Sequence, residues 1–163
     1  MGLGFGLYGI IGGFQQAYAP QFAKLWCNGA QTDFRTLLSR TMGWSVALMA
    51  IVSVPIIAFA DQFVAVWLGE WAPQQSAAFV RCVMVHFLVD ALAAPLHSAI
   101  VATGRIVRYQ VQVLFVMGSG FVLAGAALAL GLPAWTAMAA VALSNAFAVA
   151  YRQFYVRRFV LVR

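Results

Sequence analysis

Five apolar runs of about twenty residues, separated by short polar gaps, make up most of this 163-residue chain. A run of that length is what an α-helix needs to cross the roughly 30 Å hydrocarbon core of a bilayer. Composition agrees: 64% of the residues are apolar and only 9% charged, whereas a soluble domain carries about 25% charge on a surface that must face water. Strands of a membrane barrel would be about ten residues long and would alternate apolar with polar, and these runs do not alternate. Lipid offers the backbone no hydrogen-bond partner, so each segment must satisfy its own amides, which makes the spans helical. The expected fold is therefore an all-α integral membrane bundle with spans at about residues 2–22, 41–60, 77–103, 109–130 and 134–155. The first carries Gly2, Gly6, Gly9 and Gly13 on one face, a smooth stripe against which another helix can pack closely.

The charges fall between the runs and orient them. The net charge is +6, a balance found in nucleic-acid-binding proteins, but here the basic residues occupy short gaps rather than one face, so no nucleic-acid partner is expected. The gap 24–40 holds Lys24, Arg35 and Arg40, with Asp33 placed to cap a short interfacial helix bearing Phe34, Leu37 and Leu38. The loop 61–76 holds Asp61 and Glu70, the turn after the third run Arg105 and Arg108, and the tail Arg152, Arg157, Arg158 and Arg163. Basic gaps alternate with acidic or neutral ones. The positive-inside rule then puts the segment's N-terminus outside and its C-terminus in the cytoplasm. Trp26, Trp44, Trp67, Trp71 and Trp135 all fall at expected span ends, as interfacial tryptophans do. Cys27 and Cys82 fall near opposite membrane faces, beyond disulfide reach. An odd span count, an outward N-terminus and no basic n-region ahead of the first run point to a piece of a larger bundle, with a complete five-helix protein as the alternative.

Polar residues inside the spans mark candidate sites. Asp90 lies mid-span, where its insertion costs roughly 2.5–3.5 kcal/mol while each Leu or Ile returns only about 0.3–0.6. It should face protein or water. His86 precedes it by four residues and His97 follows by seven, which puts all three on one helix face beside Pro95, expected to kink or loosen the helix. Two readings compete: a stripe lining an aqueous cavity with titrating histidines, and a self-satisfied polar pair packed on a neighbouring helix. Gln15 and Asn145 are further cavity candidates, and Ser119 and Ser144 read as hydrogen-bonding glue between helices. These offsets do not form a metal motif, and no catalytic constellation or cofactor fingerprint is present.

The order of short motifs carries a resemblance. Ala19-Pro20-Gln21-Phe22-Ala23-Lys24 closes the first span, Trp67-Leu68-Gly69 with Pro73 follows the second, and Ala102-Thr103-Gly104-Arg105 with Arg108-Tyr109 follows the third. In this order the chain resembles the C-terminal portion of a bacterial polysaccharide (O-antigen type) flippase of the MATE-like multidrug/oligosaccharidyl-lipid/polysaccharide exporter superfamily. The resemblance implies the second lobe of a twelve-helix transporter in the bacterial inner membrane. It also implies a non-enzymatic function, flipping an undecaprenyl-diphosphate-linked oligosaccharide to the outer leaflet for surface polysaccharide synthesis, with a proton or other ion as possible coupling partner. On that reading His86, Asp90 and His97 line the cavity, and Arg81 is an anion contact near the outer mouth. The alternatives are a drug/cation antiporter of the same superfamily, with Asp90 as its ion site, and a membrane-embedded glycan polymerase or acyltransferase.

Overall fold

The computed structural model describes residues 18–69, 73–104 and 106–160, and among them every regular element is helical. Residues 18–27 form α1, followed by α2 (Gln31–Ala58), α3 (Ala60–Leu68), α4 (Ser76–Ala102), α5 (Ile106–Ala129) and α6 (Ala134–Tyr155), which continues into a π-helical turn, Val156–Val160. Four helices, α2, α4, α5 and α6 with its π-helical extension, are long and apolar enough to cross a membrane. The protein is a helical membrane protein. The expected first span lies mostly outside the described residues, as does Gln15.

The third, fourth and fifth expected spans match α4, α5 and α6 to within a few residues. The second does not. It begins ten residues early, because Phe34, Leu38, Thr41, Ser45, Met49 and Ser53 are buried along one continuous stripe of α2. Asp33, Arg35 and Arg40 point away from that stripe and are exposed, so their polarity does not interrupt the helix. At about 1.5 Å per residue the 28 residues of α2 span roughly 42 Å, more than a hydrocarbon core, so its first turns extend beyond the core. The separate interfacial helix is thus absorbed into α2. Asp33 is not its cap: Ala30 holds that position, and Asp33 sits in the first turn, where the helix dipole favours a carboxylate. Trp44 in turn lies well inside α2 rather than at a helix end.

Two further expectations are corrected. The first helix does not stop near Phe22, since α1 runs through Pro20 and on to Cys27. It ends instead at Gly29, with φ +68° and the paired bonds Ala30 N to Leu25 O and Gly29 N to Trp26 O, a Schellman closure that only a left-handed residue completes cheaply. The loop after α2 is also largely helical. Pro55 has no amide to give the turn before it, the chain bends at Phe59, and α3 follows with Ala60 and Val64 buried. Val66, Trp67 and Leu68 are exposed there, the apolar surface of a helix suited to the membrane interface.

The helices pack in the order α2, α4, α6, α5. Arg81, at the start of α4, meets Ile57 at the end of α2, so these two are antiparallel. Asn145 of α6 meets Asp90 of α4, and His97 lies within electrostatic reach of Arg152, so α4 and α6 run parallel. Tyr151 pairs with Gln112, making α5 antiparallel to α6. Hence Arg35, Arg40, Arg152, Arg157 and Arg158 gather at one end, and Asp61 and Arg81 at the other. The basic end also has the larger aromatic core: Phe22 and Phe34 meet edge-on at 5.3 Å between ring centres, and Tyr109 and Tyr155 at 5.6 Å. Cys27 and Cys82 are both free thiols.

Candidate functional site

The α4 helix supplies the site, and it runs unbroken from Ser76 to Ala102 through the buried Pro95. Asp90 stands about 18–21 Å along the axis from either helix end, the depth at which a carboxylate is most costly. Its partner is Asn145, whose amide nitrogen donates to Asp90 Oδ1 across 3.4 Å. Asn145 is fully buried, and its own carbonyl oxygen Oδ1 has no partner among the described residues. One turn earlier His86 is within electrostatic reach of Asp90, while its buried Nδ1 also has no partner among the described residues. Buried polar atoms are rarely left this way, since each forgoes about 1–3 kcal/mol of hydrogen bonding. Two of them around one carboxylate make a mid-span centre able to bind a polar group.

A second cluster lies two turns nearer the basic end. His97 Nδ1 is 3.4 Å from the Tyr109 hydroxyl, with the two rings 5.9 Å apart. The Arg152 guanidinium stands beside Tyr109 and within electrostatic reach of His97. Tyr151 donates its hydroxyl hydrogen to Gln112 Oε1. Three helices therefore converge here: α4 through His97, α5 through Tyr109 and Gln112, and α6 through Tyr151 and Arg152.

The two clusters follow from a single register. In the parallel pair α4 and α6, Asp90 faces Asn145, and seven residues on His97 comes near Arg152. Seven residues is two helical turns, so both contacts repeat along one seam. Sequence reasoning found Asp90, His97 and Asn145 but took Arg152 for a tail charge and gave Tyr109 no role beyond opening the fourth span. The seven-residue interval from Asn145 to Arg152 was present as a signal, but it gains meaning only once α6 is known to run parallel to α4.

The other candidates lie elsewhere. Arg81 is not on the seam: its guanidinium binds Asp61 Oδ2 at 2.6 Å and points its Nε at Ile57 O, tying α3 and α2 to α4. With its charge already engaged, Arg81 is less available to an anion than its sequence position suggests. Ser119 and Ser144 are not glue between helices, because their hydroxyls donate to the carbonyls of Val116 and Val141 in their own helices. Among the described residues, no three His, Cys, Asp or Glu side chains converge as a metal site would require. No family model, no curated protein and no solved structure matches the chain.

Proposed function

We propose that this segment belongs to the second lobe of a MATE-like polysaccharide flippase in the bacterial inner membrane, moving an undecaprenyl-diphosphate-linked oligosaccharide from the inner to the outer leaflet. One observation carries the reading beyond the motif resemblance. A seam of polar groups, from His86 through Asp90 and Asn145 to His97, Tyr109 and Arg152, runs from mid-span to the basic end of an otherwise apolar bundle. Intramembrane ionisable groups are expensive and are kept where a substrate or ion passes. A carbohydrate supplies hydroxyls to polar side chains, and a diphosphate supplies charge to Arg152. The groups lie along a span instead of converging on one reacting atom, which suits passage better than catalysis. In the drug/cation antiporter alternative, Asp90 alone would carry the coupling ion.

Deleting the gene separates the two. Loss of surface polysaccharide, with the lipid-linked oligosaccharide accumulating in the inner leaflet, is the expected outcome. Normal polysaccharide with new sensitivity to cationic drugs would favour the antiporter.

Orientation is a separate expectation, and Cys27 reports on it. It is exposed and lies at the basic end, which the positive-inside rule puts in the cytoplasm. In a Cys82→Ala background, a membrane-impermeant maleimide should label Cys27 only after the cells are permeabilised. Labelling in intact cells would invert the topology.

A further inference from the structure

At the basic end, the seam between α5 and α6 opens into a groove of about 590 Å³. Its walls include Val107, Gln112, Tyr151, Phe154, Tyr155 and Phe159. The groove is continuous with the apolar outer surface of the α5 helix, where Val107, Val111, Leu114 and Phe115 are all exposed. Such a surface on a spanning helix meets lipid tails. Above it lies a cation: the guanidinium carbon of Arg158 is 5.7 Å from the centre of the Phe154 ring and 5.8 Å from that of Phe159. Arg158 is exposed and makes no ion pair among the described residues. The only acidic residue in the described part of this end, Asp33, is on α2, at the far side of the row from α5.

We infer that this groove is a binding site for an anionic bilayer phospholipid, with an acyl chain against Val107, Phe154 and Phe159 and the phosphate at Arg158. Charge complementarity and continuity with the lipid-facing surface select this occupant. Basic pockets between spanning helices hold anionic head groups in this way. Tyr151 and Gln112, bonded to each other, add polar groups to the groove wall. The site rests on the membrane-spanning helices alone and is independent of what the protein transports.

A photo-crosslinking amino acid in place of Val107, which is 79% exposed and lines the groove, tests the assignment. The full chain is reconstituted in vesicles of phosphatidylethanolamine and phosphatidylglycerol, irradiated, and its lipid adducts identified by mass spectrometry. Phosphatidylglycerol should be enriched among adducts over its share in the bilayer. Arg158→Gln should lower its relative affinity about fivefold, the change expected for roughly 1 kcal/mol per arginine near a membrane surface. Arg158→Lys, which keeps the charge, should retain most of the enrichment. Arg157→Gln should leave it unchanged, because Arg157 lines a different groove, against α2. Adducts that mirror the bulk composition, or an enrichment untouched by Arg158→Gln, would overturn the site. Equal loss in the glutamine and lysine variants would refute the role of charge. Displacement of the phosphatidylglycerol adducts by trace undecaprenyl phosphate would assign the groove to an isoprenoid phosphate instead.

Discussion

Replacing Asp90 by asparagine is expected to leave the protein folded and inserted at its normal level while lowering the proposed glycan export roughly tenfold or more, since a hydrogen bond to a charged group is worth about 1.5–3 kcal/mol. The substitution keeps the size of the side chain and a carbonyl oxygen that can still accept from Asn145. It removes the charge and turns the second oxygen into an amide donor; since the charge is what is costly at mid-span, insertion should be no harder than in the parent. Packing alone predicts the reverse: poor expression or low stability, with normal transport per surviving molecule. Measuring protein level and export together distinguishes the two. Unchanged export at normal expression, in Asp90→Asn and in His97→Ala alike, would remove the seam from the mechanism.

The second large effect is structural. At Gly120 the α5 helix packs tightly against α6. A β-carbon added there would lie 2.6 Å from Ser144 Cβ, nearer still to its Oγ, and 3.5 Å from the Ala140 carbonyl. The Ser144 hydroxyl is already committed to Val141 O at 2.8 Å, so the side chain cannot swing aside without losing that bond. Gly120→Ala should therefore push the helices apart, with the 1–3 kcal/mol cost of overpacking and a fall in Tm of roughly 2–12 °C in detergent. Adding Ser144→Gly removes both colliding atoms and should restore most of the loss. A neutral Gly120→Ala, or a double variant no better than the single one, would show that the helices are not packed this closely.

Much of the architecture was legible because it follows from lipid chemistry, which acts residue by residue. The third, fourth and fifth spans were placed to within a few residues of α4, α5 and α6, since apolar length and a turn such as Gly131-Leu132-Pro133 are local properties. That turn closes as α1 does, with Leu132 N bonded to Ala127 O and Gly131 N to Leu128 O. Errors arose where polarity and helix diverge. The α2 helix starts among Asp33, Arg35 and Arg40 because only the stripe through Phe34 and Leu38 needs burial, and hydropathy averaged over a window misses one apolar face. The α3 helix was missed for a different reason: at nine residues it is too short to read as a span, and its first turn carries Asp61 and Gln62.

Residue order alone specifies a helical membrane protein, the placement of most of its spans, the alternation of its charges and an expensive carboxylate in the middle of α4. It could not determine what that carboxylate meets. The pairing of Asp90 with Asn145, the nearness of His97 to Tyr109 and Arg152, and the engagement of Arg81 by Asp61 depend on which helices adjoin and in what register. Hydrophobicity drives a helix into the bilayer, but it does not choose neighbours there, because lipid tails are as apolar as leucine. That choice falls to close contacts such as Gly120 against Ser144, and these exist only in the tertiary structure.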